Sequence, residues 1–366
     1  MNKIKVLQII PDFGLAGAEK MCENLSVELK KNKNVEIEIC SFYDKKTVIC
    51  ERLESLGIII HYLGKHRGPD LLMFIRLVKL IKKINPNIIH THRYVLSYVI
   101  PAVKLLKLHN TKIIHTLHSI ASKETPKKMW KMQNSAFTKK MVYPVAISEK
   151  VKDSMSSVYS IPLDCVPVIY NGVPLDKCII KTNYEMGNRI LHVGRFDDVK
   201  NHELLIDIFK KISDVDNSFK LSLIGSGPLE EKIKEKVYNL HLEDKVNFLG
   251  PQSNCYPFYN ENDIFILPSK YEGMPMTIIE AMGTGLAIVC SKVGGIPDMI
   301  DDKIDGVLCN TIEEFCEQIL KIKNNLEYRT TLGQNALFKS KKFSSELMAK
   351  KYCDLYMEVL NEKGTK

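Results

Sequence analysis

The stretch NRILHVGRFDDVKNHELLI, residues 188–206, decides how the chain is organised. An apolar run ends at a glycine, a polar loop follows, and an amphipathic pattern then begins, which is the order of a buried strand, a loop and a helix. The start of the chain shows the same order in KIKVLQII, PDFGLAGAEK and MCENLSVELKK. Residues 188–206 therefore restart, halfway along the chain, the pattern with which it opens.

Short apolar runs alternate with helical stretches through both halves of the chain. The first half continues with VEIEICSF, GIIIHYL, NIIHTH, TKIIHTLH and YPVAIS, and the second with FKLSLIG, KVNFLG, DIFILPS, LAIVCS and DGVLC. Such alternation predicts a parallel sheet wrapped by helices. A chain of 366 residues, 45% of them hydrophobic, is long enough for two cores of roughly 150 to 200 residues. We predict two Rossmann-like α/β domains in tandem.

The composition argues against several classes of protein. Ten cysteines lie between Cys22 and Cys353 without a C-x-x-C pair, which disfavours a zinc cage and a disulfide framework. The apolar run at the N-terminus stops at Pro11, too early for a secretory signal, and the uncharged run YVLSYVIPAV is far shorter than a membrane span. We expect a soluble or membrane-attached protein.

The net charge of +9 is unevenly distributed. Residues 1–185 carry 29 Lys and Arg against 16 Asp and Glu, whereas residues 186–366 carry 23 against 27. Residues 65–140 alone hold 16 basic residues and two acids, Asp70 and Glu124. Such a surface suits phospholipid, a lipid-linked diphosphate or nucleic acid, and charge alone does not choose among these.

HVGRFDDVKNHELLI places two cations at the start of a predicted helix. In open α/β sheets the ligand binds beyond the carboxyl ends of the strands, so the loops there are the places to search. The predicted strand ends at Val193, Gly194 and Arg195 follow it, and Lys200 lies just before the helix. Two cations beside a helix N-terminus suit a diphosphate. The alternative is a surface ion pair with Asp197 or Asp198.

Two further loops can contact a nucleotide. In LIGSGPLEE, Gly225 and Gly227 permit close backbone approach, although a short G-x-G is more often only a tight turn. In EGMPMTIIEAMGTG, Glu272 lies in the loop and Glu280 just over a turn into the helix. Glu280 can accept hydrogen bonds from the vicinal hydroxyls of a ribose, and Glu272 can hold sugar hydroxyls. The alternative is two ordinary acids near a helix N-terminus.

SKYEGMPMTIIEAMGTGLAIVCSKVGG resembles the E-x7-E region of family 4 retaining glycosyltransferases, which have the GT-B fold. HVGRFDDVKNHELLI, LIGSGP, VIYNGV, NIIHTH and GLAGAE fall in the family's order and spacing, so the resemblance covers nearly the whole chain. It implies two Rossmann-like domains that face each other across a crevice. Residues 1–172 would form the acceptor-side domain and residues 173–344 the nucleotide-sugar-binding domain, with residues 345–366 returning as a helix to the first.

The resemblance also implies a role for each residue of the site. Arg195 and Lys200 would bind the diphosphate of the donor, Glu280 the ribose hydroxyls, and Glu272 the transferred sugar. His118 would hydrogen-bond near the reacting sugar, although a histidine at a strand end is as readily structural. The other residues expected at the donor lie in the same loops or in the first glycine loop: Gly17, Gly194, Gly225, Gly227, Gly273, Met274, Pro275 and Met276.

The sequence departs from the family pattern at two places. The double glycine of the first loop is here Ala16 and Gly17, and the acid after the later glycine pair, usually Glu, is Asp298. The first departure could narrow the acceptor side, where Gly17 would approach the diphosphate or the acceptor. The second departure is conservative.

We expect no metal requirement. DVD, residues 214–216, imitates the metal-binding DxD motif of the other large glycosyltransferase fold, but it lies at the wrong end of a predicted strand. His90, His92 and His115 suggest a metal site, but His90 and His92 point to one face of a strand without an obvious carboxylate partner. No cofactor is expected beyond the nucleotide sugar, which is a substrate.

The function implied by the resemblance is transfer of a hexose or N-acetylhexosamine with retention of configuration. The donor would be a nucleotide sugar, most simply a UDP-sugar, and the acceptor a hydroxyl of a lipid-linked or growing glycan in bacterial surface polysaccharide synthesis. The protein would be cytoplasmic. Alternatives are a UDP-sugar 2-epimerase of the same architecture and a non-catalytic nucleotide-sugar-binding protein. Nucleic-acid binding ranks last because no nucleic-acid motif is present.

Two basic stretches of the first half have an apolar component. PKKMWKMQNSAFTKKM, residues 126–141, mixes five lysines with Met, Trp and Phe, and we hypothesise that it docks on the inner face of the cell membrane. The alternative is a solvated basic helix whose apolar side packs on its own domain. In DLLMFIRLVKLIKKI, one stripe is predicted to face the sheet. Its residues are Leu71, Phe74, Ile75, Val78 and Ile81.

Overall fold

The computed structural model describes residues 3–14, 16–68 and 70–362. These residues divide into two compact units: the first holds the chain up to Gly172 and from Ser345 onward, and the second holds Val173–Ser344. Leu15, in the first glycine loop, and residues 363–366, at the end of the predicted returning segment, lie outside the described residues.

The first unit is built on a parallel sheet with strand order β3-β2-β1-β4-β5-β6. The strands are β1 (Ile4–Ile10), β2 (Val35–Ser41), β3 (Ile59–Tyr62), β4 (Ile88–His92), β5 (Lys112–Leu117) and β6 (Val142–Ala146). The helices are α1 (Gly17–Lys31), α2 (Val48–Ser55), α3 (Leu71–Ile84), α4 (Leu96–Leu106), α5 (Ala121–Glu124), α6 (Lys127–Thr138) and α7 (Glu149–Tyr159). The central strands are buried on both faces, which explains their nearly continuous apolar runs.

The second unit repeats this topology with strand order β12-β11-β10-β7-β8-β9. The strands are β7 (Arg189–Val193), β8 (Lys220–Ile224), β9 (Val246–Phe248), β10 (Ile264–Leu267), β11 (Ala287–Ser291) and β12 (Val307–Cys309). The helices are α8 (His202–Val215), α9 (Glu230–Asn239), α10 (Tyr256–Glu261), α11 (Met276–Thr284), α12 (Ile312–Asn324) and α13 (Leu326–Ser340). In both units the first strand lies at the centre, where the strand order reverses, as in Rossmann folds.

The C-terminal helix α14 (Ser345–Asn361) belongs to the first unit. It packs on α1, where the Ser345 hydroxyl donates to Glu28 at 3.1 Å. Tyr352 and Tyr356 are fully buried, and the Tyr356 hydroxyl lies 2.8 Å from Nδ1 of His90 on β4. The predicted return of the C-terminal helix to the first unit is thus confirmed.

The predicted core stripe of α3 is wrong at two of its positions. Leu71 is 73% exposed and Ile75 is 41% exposed, whereas the buried line of the helix is Met73, Leu77 and Ile81. The first two turns are apolar on nearly every side, so hydrophobic periodicity alone does not fix which side faces the sheet. Among the described residues, no helix is long and apolar enough to cross a membrane.

Candidate functional site

The candidate donor site lies at the carboxyl edge of the second sheet. β7 pairs with β8 on one side and with β10 on the other, so the loops that follow these three strands are neighbours. The loop after β7 carries Arg195 and Lys200, the loop after β8 carries Gly225 and Gly227, and the loop after β10 carries Glu272. Parallel strands end at one edge, which is where open α/β sheets bind their ligands.

Lys200 and Glu272 are in direct contact, although 72 residues separate them in the chain. Nζ of Lys200 lies 2.6 Å from Oε1 of Glu272, and their side chains are only 19% and 10% exposed. The Ser269 hydroxyl donates to the same carboxylate oxygen at 2.7 Å. A largely buried lysine ammonium is thus held by a carboxylate at the edge of the sheet.

The alternative ion pairs considered for Arg195 and Lys200 do not form. The carboxylate of Asp197 instead accepts hydrogen bonds from the backbone amides of Val199 and Lys200, at 3.1 and 3.2 Å, and so shapes the loop. Asp198 pairs with Lys270. Arg195 is exposed, and within the described part of the chain no carboxylate pairs with it. The site therefore has one cation, Lys200, that is paired with a carboxylate, and one, Arg195, with which no described carboxylate pairs.

Glu280 is held in place by a hydrogen bond from a tyrosine that sequence reasoning missed. The Tyr259 hydroxyl, on α10, donates to Oε2 of Glu280 at 2.8 Å. Tyr259 is fully buried and Glu280 is 8% exposed. Burial, together with the nearby Glu280 carboxylate, raises the pKa of Tyr259 well above its ordinary value, so the hydroxyl stays a donor. Tyr259 lies outside every recognisable motif, and no signal in the sequence marks it.

The glycines after β8 are required by packing between two loops. A Cβ on Gly225 would lie 2.0 Å from the carbonyl oxygen of Gly194, and one on Gly227 would lie 2.4 Å from that of Phe196. The amide of Gly194 donates to the Ile224 carbonyl at 2.9 Å, which ties the two loops together. The tight-turn interpretation of G-x-G thus has a structural reason, while contact with a nucleotide stays a prediction.

The later glycine pair, Gly294 and Gly295, fixes the Glu272 loop. Gly294 has φ +56°, and a Cβ there would lie 1.8 Å from the carbonyl oxygen of Glu272. The amide of Gly295 donates to the same oxygen at 3.1 Å. This role of the glycine pair could not be predicted from the sequence, because the close approach joins residues that are distant in the chain.

We therefore expect Gly294→Ala to destabilise the second unit by roughly 1 to 3 kcal/mol, because the new methyl group meets backbone and the backbone conformation is left-handed. Gly250→Ala is the matched control, since Gly250 has φ +65° but a Cβ there would meet nothing within 4 Å. Urea unfolding of both variants isolates the cost of the close approach. Equal losses in the two variants would contradict a positioning role for Gly294.

The predicted α11 loop residues lie next to Glu272. Gly273, Met274, Pro275 and Met276 are all buried, and α11 begins at Met276. Pro275 occupies the N-cap position and has no side-chain oxygen that could accept from the first-turn amides. The helix N-terminus therefore lacks a side-chain cap.

The predicted residues of the first unit lie at the carboxyl edge of its own sheet. His118 follows β5, and its Nε2 lies 3.0 Å from Nδ1 of His92 at the end of β4. Burial lowers the pKa of His118 to about 3, so this imidazole is neutral near pH 7. Gly17 begins α1, and a Cβ there would have no atom within 4 Å. His92, His118 and Gly17 all belong to the first unit.

Sequence reasoning missed the carboxylate that supports the His118 turn. Glu124, on α5, accepts hydrogen bonds from the backbone amides of His118 and Ser119 at 2.6 and 2.7 Å. Burial raises the pKa of Glu124 to about 7. Nearby, Glu19 pairs with Arg93 at 2.7 Å. The described residues contain no group of three or more His, Cys, Asp or Glu side chains placed to hold a metal ion.

Two family models match the chain and together cover most of it. The model described as Glycosyltransferase Family 4 matches residues 15–177. The model described as Glycosyl transferases group 1 matches residues 179–337. The boundary between the two matches lies close to the boundary between the two units.

Several curated proteins are similar to the chain. An uncharacterised glycosyltransferase of Methanocaldococcus jannaschii is 36% identical over 49% of this chain and 50% of its own length. N-acetyl-alpha-D-glucosaminyl L-malate synthase of Bacillus anthracis is 32% identical over 47% of this chain and 46% of its own length. The chain thus matches about half the length of these two relatives. The capsular polysaccharide biosynthesis glycosyltransferase CapH of Staphylococcus aureus is 25% identical over 79% of this chain and 82% of its own length.

Solved structures share the architecture. Anabaena HepE, solved with UDP and glucose, has a TM-score of 0.85 and 16% identity, covering 97% of this chain and 100% of HepE. A glycosyltransferase from Rickettsia africae has a TM-score of 0.81 and 22% identity, covering 99% of this chain and 100% of its own. Likeness at these identities concerns the fold alone. The predicted fold class is confirmed.

Proposed function

Since the chain belongs to the family 4 glycosyltransferases of GT-B fold, we propose that it transfers a sugar from a nucleotide sugar to a hydroxyl of a glycan acceptor. The observation that carries the proposal is the contact between Lys200 and Glu272, at 2.6 Å, on the loop that also carries Arg195, with which no carboxylate pairs among the described residues. Two cations at one sheet edge, Arg195 and Lys200, suit a diphosphate. The adjacent carboxylate suits the hydroxyls of a sugar.

We propose that the donor is a UDP-sugar and that the product is part of a bacterial surface polysaccharide. In support, Anabaena HepE was solved with UDP-glucose, and TarM of S. aureus with UDP. The relatives CapH of S. aureus and AmsD of Erwinia amylovora are named for capsular polysaccharide and amylovoran biosynthesis. These names describe the relatives. For this chain, the surface-polysaccharide acceptor is our proposal.

The proposed reaction breaks the bond between the anomeric carbon and the diphosphate and forms a bond from that carbon to the acceptor oxygen. Negative charge develops on the leaving diphosphate, and Arg195, Lys200 and the uncapped N-terminus of α11 would stabilise it. Attack from the same face retains the configuration, and it places the acceptor hydroxyl beside the departing phosphate oxygen, which takes its proton. These groups would balance the charge of the diphosphate without a metal ion.

The pair of Lys200 and Glu272 would change partners when the donor binds. Without donor, the carboxylate orients the lysine ammonium in a site that is largely shielded from water. With donor, the diphosphate would become a second acceptor for the ammonium, and the Glu272 oxygens would receive hydrogen bonds from the sugar. Ser269 would keep the carboxylate in place during the exchange, since it donates to Oε1.

Calorimetric titration with UDP and GDP tests the donor class. We expect UDP to bind and GDP to bind more weakly, and we expect EDTA to leave UDP binding unchanged. Lys270→Ala, which removes an exposed lysine of the same loop region, is the control and should bind UDP as the wild type does. If neither nucleotide binds, the proposed donor site is wrong. If NMR shows that UDP-N-acetylglucosamine is epimerised at C2 without an acceptor, the protein is an epimerase.

A further inference from the structure

Helix α3 exposes apolar side chains along its N-terminal half. Leu71, Leu72 and Ile75 are 73%, 65% and 41% exposed. Because successive helical residues are about 100° apart, the three side chains lie within an arc of about 100° on adjacent turns. Single exposed leucines are ordinary on protein surfaces, but three on one side of one helix form a patch that suits a partner.

The same side of α3 carries only positive charge. Arg76, Lys79, Lys82 and Lys83 are exposed, and the helix contains no acidic residue. Within the ranges that the structure describes, none of the three lysines forms an ion pair, and Arg76 is 3.9 Å from its nearest carboxylate, Asp70. The cations and the three apolar side chains together occupy an arc of about 140°. We call this exposed side, with its three apolar and four basic residues, the α3 face.

A cavity of about 620 Å³ adjoins the N-terminal end of the α3 face. Leu71 lines it together with Tyr43, which follows β2, and Tyr94, which follows β4. The buried ammonium of Lys65 lies 5.6 Å from the centre of the Tyr43 ring. The apolar surface therefore continues from the α3 face to the carboxyl edge of the first sheet.

The other amphipathic candidate, α6, uses its apolar side within the first unit. Ala136 and Phe137 are buried, and the indole of Trp130 donates to the Thr125 carbonyl at 2.9 Å. The lysines of α6 are exposed without an exposed apolar patch comparable to that of α3. The predicted docking of residues 126–141 stays a prediction, and the structure offers α3 as the stronger surface.

We propose that the α3 face docks the protein on an anionic lipid bilayer. Leu71, Leu72 and Ile75 would enter the boundary between headgroups and acyl chains, and the four cations would lie at the headgroup phosphates. Charge decides against a second copy of this chain as the partner, because a symmetric pair of α3 faces would bring four positive charges against four. The purpose of docking, which is to bring a lipid-linked acceptor to the first unit, rests on the proposed function. The docking itself does not.

A single tryptophan makes the docking surface directly measurable. Trp130 is the sole tryptophan of the chain, so the wild type reports on α6 and the double variant Trp130→Phe, Leu72→Trp reports on α3. With vesicles of phosphatidylcholine and phosphatidylglycerol, we expect a blue shift and quenching by brominated lipid only in the double variant. Vesicles of phosphatidylcholine alone should give little of either effect. Quenching of Trp130 without quenching at position 72 would assign docking to α6, and quenching at neither position would overturn docking.

Co-sedimentation with the same vesicles tests the apolar contribution. The triple variant Leu71→Gln, Leu72→Gln, Ile75→Gln should bind the vesicles at least about tenfold more weakly. The matched control carries the same three changes at Leu56, Leu105 and Ile59, which are 50%, 64% and 56% exposed elsewhere on the first unit, and should bind as the wild type does. Equal losses in both triple variants would overturn the assignment to α3.

Neutralising lysines of the α3 face tests the charge contribution. Each of Lys79→Gln, Lys82→Gln and Lys83→Gln should weaken binding to anionic vesicles about fivefold. UDP binding should be unchanged in every α3 variant, so loss of docking and loss of the proposed donor site are distinguishable. Sedimentation velocity without lipid checks for self-association, and a dimer abolished by the apolar triple variant would reassign the face to a second copy of this chain.

Discussion

Lys200→Ala should lower kcat of sugar transfer on the order of a hundredfold, because the variant lacks a preorganised cation at the position where charge develops on the leaving diphosphate. KM for the donor should change less than kcat if the cation acts mainly in the transition state. The substitution also leaves Glu272, whose side chain is only 10% exposed, without its ion-pair partner. We therefore expect a stability loss of about 1 to 2 kcal/mol alongside the loss of rate.

A double-mutant cycle separates these two effects. Glu272→Ala in the Lys200→Ala background removes the unpaired carboxylate, so the free energy of unfolding should recover while the rate stays low. Arg195→Ala should lose rate without losing stability, because Arg195 is exposed and has no carboxylate partner in the described part of the chain. If the double variant regained both stability and rate, Lys200 would be a structural residue and the proposed diphosphate site would be wrong.

The sequence was sufficient for the fold because both units follow one local rule. Each strand is a short apolar run followed by a polar loop and an amphipathic helix, and parallel sheets turn that order into a Rossmann topology. Because β7, β8 and β10 are neighbours in the sheet, the loops that follow them lie together. These are the loops singled out from the sequence. Strand order thus brings Lys200 and Glu272 to one edge.

The contacts within that edge could not be predicted, because they join residues that are distant in the chain. The pairing of Lys200 with Glu272 and the approach of Gly294 to the Glu272 carbonyl depend on how the loops pack. Tyr259 supports Glu280 from a short helix whose sequence carries no motif. The exposed side of α3 escaped prediction for a different reason: when apolar residues occupy nearly every side of a helix, periodicity does not select the buried one.

Glu280→Ala should weaken UDP binding by about 2 to 4 kcal/mol, which is on the order of thirtyfold to several hundredfold in Kd, since charged hydrogen bonds to the ribose are lost. The carboxylate is well placed for this role, because it is 8% exposed and Tyr259 holds one of its oxygens at 2.8 Å. Tyr259→Phe should have a smaller effect, about 1 kcal/mol, because the carboxylate remains but loses one orienting bond. Calorimetry measures both variants, with Lys270→Ala as the unaffected control.

Deoxy nucleotides decide whether Glu280 contacts the ribose itself. The wild type should bind 2′-deoxy-UDP or 3′-deoxy-UDP more weakly than UDP, whereas Glu280→Ala should not discriminate between them, because the partner of the missing hydroxyl is already gone. Damage to the fold would weaken the binding of all three nucleotides equally and would lower the melting temperature. Glu280→Gln keeps the shape of the side chain and is therefore the control for such damage. If Glu280→Ala still distinguishes UDP from its deoxy analogues as the wild type does, another group recognises the ribose and the carboxylate acts only within α11.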